Sequence, residues 1–154
     1  MVTLHPLTDQ NRAAVLSLRV SAAQEQFVGT VEGALLEAAE EPGGRAIFWA
    51  VYDGETPVGF VMISDEVDGP GYIAHYLWKL LVDERHQRRG YGSATLDLIV
   101  EYFRGRGIDV LWTSAGQGTG SPIPFYERYG FVQTGEIVFD REVLLELKLH
   151  VRHP

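Results

Sequence analysis

Residues 80–94 read LLVDERHQRRGYGSA, and the chemistry of the chain changes twice within them. Leu80, Leu81 and Val82 close an apolar run that begins at Tyr72. Both faces of that run are mostly apolar, as in a central strand covered on two sides. A polar loop follows, and Gln87-Arg88-Arg89-Gly90-Tyr91-Gly92 then opens a helix predicted to run to about Arg104. A helix start presents unpaired N–H groups and a partial positive charge, which suit an anion. Gly90 and Gly92 remove side chains that would hold a phosphate off those donors, and Arg88 and Arg89 add cationic partners. The third glycine of G-x-G-x-x-G and a following Gly-Lys-Ser/Thr are both missing, so neither the dinucleotide fingerprint nor the P-loop fits. The stretch predicts a strand-loop-helix cradle for a pyrophosphate.

The flanking sequence supplies a mixed α/β order. Val2–Leu7 reads as a strand, and Thr8 as the cap of a helix reaching Val20. Thr30 caps a second helix, with Val31, Ala34, Leu35 and Ala38 on one stripe, stopped by Pro42-Gly43-Gly44. Ala46–Tyr52 and Pro57–Ser64 form a hairpin around Asp53-Gly54-Glu55. In the strand Tyr72–Val82, strict alternation puts Tyr72, Ala74, Tyr76, Trp78, Leu80 and Val82 on one face. The helix after Gly90 is expected to bury Tyr91, Ala94, Leu98 and Tyr102, helped by Ile99 and Phe103. Asp109–Ser114 is a further strand, Ile123–Arg128 a short helix, and 131–140 with 142–149 a closing antiparallel pair. No repeat or linker divides residues 1–154, which read as one domain.

Composition narrows the function classes. The 154 residues are 45% apolar, enough for a core, and contain no cysteine. That excludes disulfides, thiolate metal sites and a cysteine nucleophile, and no metal site is expected. No apolar run reaches the length of a membrane span, and the first residues lack a basic-then-apolar leader pattern. A cytoplasmic location is expected, with no membrane partner. Thirteen Lys and Arg against 21 Asp and Glu leave a net charge of −8. Such a surface repels a phosphate backbone, so no nucleic-acid partner is expected, and it attracts small cations.

The pattern Q-x-x-G-x-G at a strand-to-helix junction resembles motif A of the GNAT superfamily of N-acetyltransferases, and FYERYGF at 125–131 resembles that family's helix-to-strand segment with its tyrosine. The resemblance covers the whole order of elements. It implies a central mixed, mostly antiparallel sheet of six to seven strands with a splayed central pair and about four helices. It further implies that acetyl-CoA is the co-substrate. Its pyrophosphate would lie on Gln87, Arg88, Arg89, Gly90, Tyr91, Gly92 and Ser93, and its pantetheine arm along the backbone of Leu80, Leu81 and Val82. Tyr126 matches the tyrosine that protonates the departing thiolate. The chain departs from many relatives in carrying Gly120-Ser121-Pro122-Ile123-Pro124 before that tyrosine, and the prolines are expected to shorten or reshape the helix. A homodimer is the family habit.

Transfer to an amine requires the amine neutral, whereas an alkylamine with a pKa of about 10.4 is almost wholly protonated at pH 7. His75 is the first candidate base, with Lys79, Glu25 and a water chain as alternatives. Gln26-Phe27-Val28, the helix with LLEAAEE and the run YLWKLLVDERHQRRGYGSA resemble the bacterial diamine and polyamine acetyltransferase branch. The acceptor expected is therefore a small cationic amine. Glu32, Glu37, Glu40 and Glu41 are candidates for an acidic mouth, and Phe27, Trp49, Tyr72, Tyr76 and Trp78 for an aromatic lining. Another acceptor (a drug, an amino acid or a protein N-terminus) and a non-catalytic acetyl-CoA-binding module remain as alternatives.

Overall fold

The structure, a computed structural model, describes residues 1–150. Its elements are β1 (Val2–His5), α1 (Arg12–Leu16), α2 (Ala22–Val28), α3 (Val31–Glu40), β2 (Ala46–Asp53), β3 (Thr56–Ser64), β4 (Tyr76–Val82), α4 (Tyr91–Gly105), β5 (Val110–Ala115), α5 (Ile123–Tyr129), β6 (Val132–Val138) and β7 (Glu142–Lys148). The seven strands make one sheet in the order β1-β2-β3-β4-β5-β7-β6. All neighbours are antiparallel except the parallel pair β4–β5. That pair is joined only at Tyr76–Trp112 and Leu77–Thr113, after which the strands part. The Thr113 hydroxyl donates to the Leu77 carbonyl at 3.0 Å, where the ladder ends. The expected splayed mixed sheet is thus present. Among the described residues no helix is long and apolar enough to cross a membrane.

Each face of the sheet carries its own core. One includes Leu77, Leu80, Leu96, Ile99, Phe103 and Tyr126. The other includes Val15, Leu18, Val31, Phe60, Met62 and Leu81, with Trp78 packed against it. Phe60 and Phe103 are fully buried, and burial of such a side chain contributes about 1.5–3 kcal/mol.

The strand 72–82 differs from strict alternation, because Met62 pairs Lys79 whereas Ile63 pairs Leu77, leaving Trp78 as an extra residue. This bulge re-aims the strand. Leu77 and Leu80 therefore share one core and Trp78 and Leu81 the other. The strand also starts at Tyr76 rather than Tyr72. Upstream, His75 is left-handed at φ 55, and the Tyr72 hydroxyl donates to Glu41 at 2.6 Å, which ties this segment to the end of α3.

Two helices differ as well. The stretch 8–28 holds two short helices instead of one reaching Val20. Thr8 and Asn11 close a local turn on each other, and the Arg19 amide leaves the helical path to bond Asp83 at 2.9 Å. The chain then restarts at Ser21, where Ser21 and Gln24 form a capping box. In α4 the buried stripe is Thr95, Leu96, Ile99, Val100 and Phe103, and Leu98 faces outward. The inward row thus starts at Thr95 rather than Tyr91, with Leu96, Ile99 and Phe103 packed into the core shared with Leu77 and Leu80.

Candidate active site

The loop between β4 and α4 is built on Asp83, which is 2% exposed. Its carboxylate accepts from the Arg19 amide and from the Arg85 amide and Nε. Burial pushes the carboxyl pKa up, but these hydrogen bonds and the Arg85 charge outweigh it and hold the pKa below the ordinary carboxylate value. A carboxylate whose folded pKa is depressed contributes stability above its unfolded value, lost as pH falls through the folded one. Asp83→Asn is therefore expected to lower Tm at pH 7, with the gap to wild type closing below pH 4 as both carry an uncharged group. A gap unchanged by pH in thermal melts overturns this.

Beyond Asp83, Gln87 exchanges amide hydrogen bonds with Gln24 at 2.9 and 3.2 Å and donates to the Val82 carbonyl at 2.8 Å. Through these bonds the capping box of α2 holds the loop against the end of β4. Arg88 (φ 65) and Gly90 (φ 81) both lie in the left-handed region. The N–H groups of Tyr91, Gly92 and Ser93 open α4, and among the described residues no side chain caps them. The Tyr91 hydroxyl is held by Asp53 at 2.5 Å. At Gly92 an added Cβ would meet the Phe125 ring at 3.0 Å, so α5 lies close over this helix start.

These groups face a cavity of about 530 Å³ between the loop and α5. Of the residues singled out in the sequence, Leu80, Val82, Gln87, Arg88, Gly90, Tyr91, Gly92 and Ser93 line it. The Leu81 side chain is buried in the core on the α1–α3 side instead, and Arg89 is exposed and off the cavity wall. Uncapped amides, a left-handed loop and Arg88 make a donor set for a phosphate.

A second cavity, of about 330 Å³, adjoins the first. Val28, Leu80, Pro122 and Tyr126 line both, so Tyr126 stands where the two meet. It is 4% exposed. Burial pushes its phenol up to about 12, against a smaller opposing effect of the Thr113 hydroxyl, so the group is neutral at working pH. Pro122 and Pro124 sit at the start of α5, where a missing N–H costs nothing, and the helix keeps its two turns. Tyr129 lies away from both cavities and donates to Asp97 on α4.

The second cavity is acidic and aromatic. Glu37, Glu41 and Glu142 line it, as do Phe27, Tyr72, Tyr76, Trp78 and Phe139. Lys79 also lies on its wall, paired with Glu37 at 2.9 Å. Glu32, Glu40 and Glu25 are not on the wall, and Trp49 packs on Tyr102 with ring centroids 5.7 Å apart. His75 is not brought here either. Its left-handed backbone turns the ring toward Phe103, 5.9 Å away, and Asp65, 3.6 Å away. Glu142, Phe139 and Gln24 went unread in the sequence. Only Gln24 had a local signal, the S-x-x-Q spacing from Ser21.

Residues 13–131 match the acetyltransferase (GNAT) family, and the chain belongs to it. It is an acetyl-CoA-dependent N-acetyltransferase by class. Among curated proteins it is similar to the spermine/spermidine N(1)-acetyltransferase of Bacillus subtilis, 28% identical over 96% of this chain and 99% of that protein. Among solved structures it resembles the PaiA N-acetyltransferase of Thermoplasma acidophilum in complex with coenzyme A, with a TM-score of 0.65 and 14% identity over 96% and 99% of the two chains. It also resembles an acetyltransferase of Thermus thermophilus, with a TM-score of 0.62 and 18% identity over 97% of each chain.

Proposed function

We propose that the protein transfers the acetyl group of acetyl-CoA to a small polycationic amine, a polyamine, by direct attack within a ternary complex. The observation that carries this is Tyr126 at the junction of two cavities, one lined by amide donors and Arg88, the other by carboxylates and aromatic rings. The first cavity fits coenzyme A: the uncapped amides of Tyr91, Gly92 and Ser93, with Arg88, would hold the pyrophosphate. Among the described residues β4 beyond Leu77 has no strand partner on its β5 side, which leaves backbone groups of Leu80 and Val82 for the pantetheine arm.

Acetyl-CoA supplies the activated acyl group. The protein supplies position and charge. Carboxylates and ring faces hold an ammonium chain, and the neutral Tyr126 hydroxyl gives its proton to the departing sulfur. Lys79 already neutralises Glu37, so among the described residues Glu41 and Glu142 are the carboxylates on the wall with no cation paired to them. Two such charges match an acceptor with one reacting and one distal nitrogen. With no cysteine in the chain, an acetyl-cysteine intermediate is impossible, in keeping with direct transfer. The 28% identical relative named for spermine and spermidine supports the same acceptor class.

Thiol release from acetyl-CoA, followed with a thiol reagent, tests this directly, since the enzyme contributes no thiol of its own. Spermidine, spermine and putrescine are expected to give turnover well above that with an aminoglycoside, amino acids or a peptide N-terminus. Turnover confined to one of the latter overturns the polyamine reading. Coenzyme A binding with no release from any amine overturns catalysis itself.

A further inference from the structure

We propose that Tyr76, Ser114 and Glu142 form a proton relay that takes the proton from the acceptor's ammonium group, an inference that rests on the amine-acetylating reading above. The three residues lie on adjacent strands: Tyr76 opens β4, Ser114 is near the end of β5, and Glu142 opens β7. All three line the acceptor cavity with Tyr126. Tyr76 Oη is 2.5 Å from Ser114 Oγ, and Ser114 Oγ is 3.0 Å from Glu142 Oε1.

The direction of this chain follows from the groups themselves. A carboxylate only accepts, so the single Ser114 proton points at Glu142, and Tyr76 must donate its own proton to Ser114. The Tyr76 oxygen keeps lone pairs free for an N–H on the cavity side. In the transfer, an ammonium proton passes to Tyr76 Oη, the phenol proton moves to Ser114 Oγ, and the serine proton moves to Glu142 Oε1. The ammonium becomes a neutral amine, the carboxylate becomes a carboxylic acid, and both hydroxyls are restored. Burial raises the Tyr76 pKa well above its ordinary value, partly opposed by the Ser114 hydrogen bond and reinforced by the Glu142 charge. The phenol thus passes a proton on without ionising. Tyr76 would touch the amine, while Ser114 and Glu142 act through it as positioning and proton-accepting groups.

The other cavity groups are less suited to this role. Lys79 and Glu37 pair with each other, Glu41 accepts from Tyr72 in an exposed hydrogen bond, and Tyr126 is the donor to the sulfur. The hairpin turn helps place the relay. Phe139 (φ 48) and Asp140 (φ 70) are both left-handed, and this turn brings the Phe139 ring to within 6.2 Å of Tyr76 while delivering Glu142 to the start of β7.

The test compares two acceptors: an alkyl polyamine, and a weakly basic fluorinated ethylamine that is already neutral at pH 7. Glu142→Gln is expected to lower kcat for the polyamine at pH 7 by about 100-fold. The loss should shrink steadily as pH rises toward the amine's own pKa. With the fluorinated amine kcat should stay within about threefold of wild type, since that acceptor has no ammonium proton to lose before it attacks, and the N–H proton it sheds after attack is balanced by the one the departing sulfur gains. Ser114→Ala keeps the Glu142 charge and breaks only the chain, so the same pattern at smaller size rules out a mere loss of ammonium binding. Coenzyme A affinity, expected within about twofold of wild type, shows that each variant is folded. Should Glu142→Gln not fold, Ser114→Ala decides alone by the same comparison. Equal losses with both amines, or a deficit that pH does not move, overturn the relay while wild-type turnover leaves the enzyme reading intact. No wild-type release from any amine overturns both.

Discussion

Tyr126→Phe is expected to lower kcat by about 100- to 1,000-fold, the lower part of the roughly 100- to 10,000-fold that a positioned general acid contributes, while KM for acetyl-CoA changes by less than about twofold. The phenol ring lies in the core with Leu77, Leu80 and Phe103, and phenylalanine keeps that packing. Only the hydroxyl is lost. Because the phenol pKa is pushed up to about 12 by burial, Tyr126 holds its proton throughout the range in which the enzyme works. The sign follows from the raised value. Whatever the neutral phenol contributes to stability is fully present below the unfolded value of about 10 and is lost only as pH rises through the folded one. Wild-type kcat is accordingly expected to show no basic limb from this group between pH 8 and 10. Steady-state kinetics on the two proteins check both statements. A variant that keeps kcat and raises KM would move Tyr126 from proton donor to binding residue.

Gly90→Val is expected to raise the Kd for coenzyme A by more than about tenfold, the equivalent of 1.4 kcal/mol. Space is not the reason, for a Cβ at this position meets nothing within 4 Å. The reason is the backbone: φ is 81, a left-handed conformation in which a β-branched residue is a genuine outlier. Such strain costs about 1–3 kcal/mol. A loop that relaxes to relieve it carries the amides of Tyr91, Gly92 and Ser93 away from their common focus. Gly90→Asn, whose side chain tolerates the left-handed region, should retain most of the affinity. Titration calorimetry on the three proteins separates the outcomes. Wild-type affinity in Gly90→Val would remove the loop from the cofactor site.

Short-range signals made much of this protein legible before its fold was described. Thr30 caps α3 through the Gly33 amide, as the sequence predicts, and the β2–β3 hairpin turns where Asp53-Gly54-Glu55 stands. That residues 80–93 would gather was legible because a strand end, two glycines and a helix start lie within fifteen consecutive residues, and most of them line one cavity. His75 reads in the sequence as a candidate base on the central strand, but it stands just before β4 with a left-handed φ, its ring beside Phe103 and Asp65 and off both cavity walls.

Residues 80–94 and 123–131 by themselves determined the class of protein and its co-substrate, because each of those motifs is local. The tertiary structure alone decided which distant polar groups line the second cavity together. Glu142 lies 66 residues from Tyr76 in the chain, and only the sheet order β4-β5-β7 brings them to the two sides of Ser114. Glu37 is one of four alike candidate glutamates in the sequence until the fold sets Lys79 against it and leaves Glu32 and Glu40 off the wall. Charges and hydroxyls that meet across strands carry no periodic signal in a sequence. Their chemistry comes from distance and burial, and these exist only once the sheet has closed.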